Sequence, residues 1–115
     1  INGLIYEFIV LDFFMKNIYK LNLKKEFFIR FRLHPSENKN KYDDWVRKQN
    51  KDNISISIND NLCEDISWSN IVIGYESYAL VIASASKRKC FSTKLPNEEN
   101  CRLMIEDLEY IRDLH

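Results

Sequence analysis

The sequence predicts an α/β fold: a Rossmann-like parallel sheet of about four strands flanked by helices, in one domain spanning residues 1–115. Three observations carry that expectation. Short runs of branched and aromatic residues alternate with segments of helical spacing along the whole chain. The strand-like runs stop at turn-forming residues, namely His34-Pro35, Asn59 to Asn61, Gly74 and Leu95-Pro96. Each run is followed by a helical segment, and strand–helix–strand alternation implies parallel pairing with right-handed crossovers.

From Leu4 to Leu21 the apolar residues are too continuous for an alternating strand, and Glu7, Asp12, Lys16, Tyr19 and Lys20 recur at helical steps. This predicts a largely buried helix. Its covering partner is either the rest of the domain or a surface outside it, including a second copy of the chain. Glu26 to Leu33 (E-F-F-I-R-F-R-L) is a strand that ends at His34-Pro35. Tyr42, Trp45 and Val46 stand at i, i+3 and i+4 in an otherwise polar stretch and predict a short surface helix.

Ile54, Ile56 and Ile58 alternate with serines in a second strand, and Asn59, Asp60 and Asn61 form a turn or cap before a short helix from Leu62 to Ser67. Asn70 to Ile73 is a third strand ended by Gly74. Ser77 to Ser86 is a helix of small and branched residues suited to close packing on a sheet, with Lys87, Arg88 and Lys89 at its C-terminal end, where positive charge suits the dipole. Cys90 to Lys94 is a fourth strand. Asn97 is expected to cap a last helix with Glu98 and Glu99 in its first turn and Leu103, Met104, Leu108 and Ile111 along its apolar side.

Composition narrows the function. Seventeen basic residues balance seventeen acidic ones, so no net field draws the whole chain to nucleic acid, and any anion site is local. Cys63, Cys90 and Cys101 are odd in number and lack metal-ligand spacing, which argues against a disulfide framework and against zinc and places the chain in a reducing, cytoplasmic setting. Glu7 and Asp12 interrupt the apolar opening, which also lacks a basic leader region, so no signal peptide is expected. The chain opens at Ile1 rather than Met and is read as a piece of a longer protein.

Ligands of open parallel sheets bind beyond the carboxyl ends of the strands, where loops meet helix N-termini whose free N–H groups favour anions. Three loops qualify, at His34 to Asn40, Asn59 to Asn61 and Gly74 to Ser77. In the third, a strand N-I-V-I runs into Gly74, which lets a ligand approach the backbone, and Ser77 opens a helix; the hydroxyl and neighbouring amides suit a phosphate. An isolated G-x-x-S is more often a plain turn followed by an N-cap, and no Walker or dinucleotide glycine fingerprint accompanies it.

His34 closes the first strand, where an imidazole donates to a phosphate oxygen or serves as a general acid near neutral pH. A lone histidine in such a place is more often a hydrogen-bonded strand end. Arg30 and Arg32 share one face of that strand, as phosphate contacts or as a solvated edge. Glu37 reads as a cap, and Glu76 as a ribose acceptor or a solvated carboxylate.

The run R-L-H-P-S-E at Arg32 to Glu37, then Lys41-Tyr42, then L-x-E-D-I-x-W-S-N-I-V-I-G-Y-E-S-Y-A-L-V-I-A from Leu62 to Ala83, resembles the C-terminal, donor-nucleotide half of a GT-B type glycosyltransferase. It is most similar to bacterial sialyltransferases and polysialyltransferases, which carry an H-P motif and a downstream serine motif. The resemblance spans Phe27 to Pro96. It implies that His34 and Pro35 form a phosphate-contacting corner for a CMP-sugar, with His34 helping the nucleotide leave, and that Ser77 binds the same phosphate. Gly74, Tyr75 and Glu76 would shape the nucleotide pocket, supported by Arg32 and Glu37.

The resemblance further implies a role in surface or capsular polysaccharide synthesis, a nucleotide-sugar donor with no other cofactor or metal, and an acceptor-binding half outside this chain, to which residues 1–22 would be the linking helix. Peripheral membrane association of the parent enzyme is also implied. The family's acidic general base has no matching acidic-acidic-glycine motif here, so the chain by itself is expected to be inactive. Other readings stand beside this one: a nucleotide-sugar epimerase or glycerophosphotransferase relative, a non-catalytic interaction module using helix 4–21 to form a homodimer or meet another partner, and a receiver-like domain using Asp60.

Overall fold

The computed structural model describes residues 3–33, 40, 42–49, 51–58 and 60–115, with the side chains of residues 3–6 excepted. The chain forms two units, residues 23–65 and residues 1–22 with 66–115, and each has its own small parallel sheet. Helices and parallel strands are thus as the sequence predicts. The strands fall into a two-stranded and a three-stranded sheet, where one sheet of about four was expected.

In the 23–65 unit, β1 (Ile29–Phe31) pairs in parallel with β2 (Ile54–Ile56), Ile29 opposite Ile54 and Phe31 opposite Ile56. The ladder is extended at both ends by Ile29 N–H donating to Asn53 O (2.8 Å) and Ser57 N–H to Phe31 O (2.7 Å). α2 (Asp43–Lys48) begins with two aspartates and ends with Arg47 and Lys48, an order that complements its dipole. The Tyr42, Trp45 pattern read from sequence is its inward side. Both residues are buried, and Phe31 of β1 stacks on Tyr42 (centroids 5.9 Å apart) and meets Trp45 edge-on (5.4 Å).

The polar half of this unit gathers on Asp65 in α3 (Leu62–Trp68), the helix within which the chain passes from one unit to the other. Asn61 Oδ1 accepts the Cys63 N–H (2.8 Å) and so caps this helix. Arg30 and Arg32 project from the same face of β1 because alternate strand residues share a face. Both donate to the buried Asp65 carboxylate, at 3.2 and 2.8 Å, and Ser57 adds its hydroxyl at 2.6 Å.

In the other unit, α1 (Gly3–Asn17) continues as a 3-10 helix over Ile18–Leu21, closed by Asn22 in the left-handed region (φ 53°), with Val10 and Phe14 buried. No helix among the described residues is long and apolar enough to cross a membrane. β3 (Ile71–Gly74) pairs in parallel with β4 (Lys89–Ser92), which pairs in parallel with β5 (Glu109–Tyr110). α4 (Tyr78–Ala85) packs on β3 and β4 through Leu80 and Ala83, both fully buried. Its alanines and serines permit the close approach that the sequence implied.

α4 closes in a Schellman arrangement: Lys87 is left-handed (φ 64°), its N–H donates to Ser84 O, and Arg88 N–H reaches back to Ala83 O (2.9 Å). The basic run is only partly a dipole partner for α4. Arg88 turns its guanidinium to Ile66 O and Ser67 O, the last carbonyls of α3.

The expected helix from Asn97 to Ile111 is not formed. Leu95-Pro96-Asn97-Glu98 closes as a β-turn, with Glu98 N–H donating to Leu95 O (3.0 Å), Pro96 and Asn97 filling the two central positions that those residues favour. Asn97 is therefore a turn residue, not a helix cap. The chain then runs irregularly to β5 and a short 3-10 helix, Ile111–Asp113. Ile111 is fully buried, whereas Met104, expected on the same apolar side, is 96% exposed.

Candidate functional site

β3 and β4 end together, Gly74 opposite Ser92, and Thr93 N–H donates to Gly74 O (2.9 Å) just beyond the last paired residues. The loops that leave these two strand ends lie side by side: Gly74–Ser77, which opens α4, and the segment from Thr93 through Arg102. Such strand ends are where parallel sheets present ligand sites.

Gly74 has an ordinary negative φ, so its requirement is for space, not for an unusual backbone. A Cβ there would lie 3.2 Å from Ser77 Cβ and 3.4 Å from Leu80 Cγ, which shows how closely the strand end abuts the first turn of α4. Ser77 is the N-cap of α4: extended at φ −84° and ψ 139°, exposed, its Oγ accepting the Ala79 N–H at 3.1 Å. A capping hydroxyl still has its own hydrogen to donate.

Tyr75 and Glu76 are tied down from the second loop. Ser92 Oγ donates to Tyr75 O (2.9 Å), and the Tyr75 phenol donates to Glu98, which also accepts the Leu95 N–H. Burial, with the Glu76 charge beside it, pushes the phenol's pKa above the usual value. Glu76 accepts the Arg102 backbone N–H at 2.8 Å and two guanidinium nitrogens at 3.4 and 3.3 Å, with Lys94 Nζ 3.5 Å away. The Arg102 backbone N–H, its guanidinium and the Lys94 charge together hold the Glu76 carboxyl down at about 2. Glu76 is thus a permanent anion near neutral pH, unsuited to general-base work.

The second loop has its own fastening. Arg112 donates to Leu95 O (3.0 Å) and Glu98 O (2.8 Å) and reaches the Asn100 side chain, while the Tyr110 hydroxyl accepts the Cys101 N–H (2.9 Å). Side chains thereby replace the hydrogen bonds that a helix would have supplied.

Of the residues singled out from sequence, Gly74, Tyr75, Glu76 and Ser77 occupy this site together. Arg32 belongs to the 23–65 unit, where it is engaged by Asp65 and by the Asp60 carbonyl (3.1 Å). His34, Pro35 and Glu37 lie outside the described residues.

The sequence reading missed Ser92, Lys94, Glu98 and Arg102. Their signal was the break at Leu95-Pro96, which marks a strand end equivalent to Gly74 and so a second loop on the same edge. Among the described residues no group of three or more histidine, cysteine, aspartate or glutamate side chains is gathered as metal ligands, and the three cysteines are free thiols. No family model, curated protein or solved structure matches this chain.

Proposed function

We propose that this chain is the donor-nucleotide half of a glycosyltransferase of the sialyltransferase-like, GT-B type, binding the phosphate of a CMP-sugar at the Gly74–Ser77 loop. The observation that supports the reading is the loop itself: a parallel strand ending at a glycine pressed against the next helix, and a serine capping that helix with its hydroxyl exposed. Backbone N–H groups and positive dipole at such a helix start favour a phosphate. In this proposal Ser77 donates to the phosphate, and Tyr75 and Glu76 form the wall of the nucleotide pocket.

Calorimetric titration with CMP and with UDP tests the proposal. CMP is expected to bind more tightly, and Ser77→Ala is expected to weaken it by roughly 1–3 kcal/mol while leaving the chain folded. Preference for UDP would move the chain to another nucleotide-sugar enzyme. Indifference to both nucleotides would leave a non-catalytic binding module.

A further inference from the structure

Lysine is rarely buried unless paired, yet Lys94 is only 8% exposed where the chain leaves β4. Its contacts lie in the loop before α4: Glu76 Oε1 at 3.5 Å and the Tyr75 ring, whose centroid is 4.5 Å from the ammonium. The distance to Glu76 exceeds the roughly 2.7–2.9 Å of a well-formed charge-assisted bond. That same carboxylate already serves the Arg102 N–H and guanidinium. One acidic group therefore faces a backbone N–H, a buried ammonium and a guanidinium whose side chain is 84% exposed.

An N–H, an ammonium and a guanidinium make a donor set suited to a phosphate group. A carboxylate is the chain's own anion of similar chemistry. Glu76 also directly precedes the N-cap serine, so what holds it stands beside the amides that open α4.

We infer that Glu76 is a resident counter-ion, and that a phosphate-bearing ligand at the Gly74–Ser77 loop takes Lys94 and Arg102 over from it. This rests on the nucleotide reading given above. It assigns Lys94 as the buried cation of the site, Arg102 as the exposed one, and Glu76 as a competitor of the ligand. The two acid–base partners therefore act with opposite sign. Removing the Glu76 charge strengthens phosphate binding while weakening the unliganded fold, whereas removing Lys94 weakens both. A purely structural ion pair predicts that both losses act alike.

The test is calorimetric titration of the full chain with CMP, pyrophosphate and phosphate-free cytidine, using wild type, Glu76→Gln, Lys94→Met and Lys94→Arg, each with a thermal unfolding curve. Glu76→Gln is expected to bind CMP and pyrophosphate roughly three- to tenfold more tightly. Lys94→Met is expected to lose about tenfold or more. Cytidine affinity stays unchanged throughout, and Lys94→Arg, which keeps the charge, retains CMP binding within about threefold. Should Lys94→Met fail to fold, Glu76→Gln and Lys94→Arg decide.

A folded Glu76→Gln variant whose phosphate affinity is unchanged or weaker overturns the inference and leaves the nucleotide reading standing. Pyrophosphate binding without CMP binding, tightened by Glu76→Gln, removes the cytidine reading and keeps the counter-ion exchange. A wild-type chain that binds neither overturns both.

Discussion

Glu76 and Asp65 are both carboxylates held by arginine, but they sit in different surroundings and answer to different experiments. Asp65 is buried beneath Arg30, Arg32 and the Ser57 hydroxyl, so replacing it by alanine removes the carboxylate that two partly buried guanidinium groups share. Asp65→Ala is expected to cost about 2–4 kcal/mol in a urea unfolding experiment. The serine at position 77 carries a smaller load: losing its cap to Ala79 N–H in Ser77→Ala should cost about 1 kcal/mol in the same measurement.

Glu76 adds a pH dependence. Its carboxyl lies at about 2 in the folded chain against 4.5 ordinarily, so it contributes stability that is complete above about 4.5 and is lost as pH falls through that range toward about 2. Unfolding midpoints are therefore expected to separate wild type from Glu76→Gln at pH 7, wild type being the more stable, and to converge near pH 2. An equal gap at both pH values would contradict the contacts described for this residue.

At the scale of elements, the end of α4 offers a stabilising change. Lys87 occupies the left-handed position of the Schellman turn that glycine normally takes. Lys87→Gly is expected to raise stability by about 1 kcal/mol, read from the thermal midpoint. In the core of the same element Leu80 is fully buried against β3 and β4, and Leu80→Ala should cost roughly 2–5 kcal/mol in urea unfolding.

The elements also show where sequence reasoning succeeds and where it stops. α4, β3 and the paired strands β1 and β2 were legible because a local pattern dictates each: small residues after a capping serine for α4, an apolar run ended by Gly74 for β3, aromatic and branched residues for β1, and isoleucines at period two for β2. The region from Asn97 to Ile111 misled because its apolar spacing imitates a helix. Pro96-Asn97 is a turn, Glu98 spends its carboxylate on Leu95 N–H and Tyr75, and Arg112 takes the free carbonyls. Those partners are distant in sequence, and no local periodicity announces them. β5 was missed for the same reason, its two residues being defined only by pairing with β4.

At the scale of the whole molecule, alternating helices and strands gave the α/β class and parallel pairing, while nothing local announced that the strands would divide between two sheets. Half of the proposed phosphate site was legible in Gly74 and Ser77. The charged half, Lys94 with Arg102, was hidden behind a strand reading that ended at Lys94 and a helix that does not form. The resemblance places no acidic general base in this chain, so incubation with a CMP-sugar and an acceptor is expected to give nucleotide binding without sugar transfer.

The central claim, that the loop opening α4 receives a nucleotide phosphate, is tested most directly by titrating CMP into the 15N-labelled chain and following backbone amides. Saturable shifts are expected at Gly74, Tyr75, Glu76, Ser77 and Tyr78, with an accompanying shift at Lys94. Unchanged amides across 74–78 at saturating CMP, or shifts confined to other parts of the chain, would contradict it.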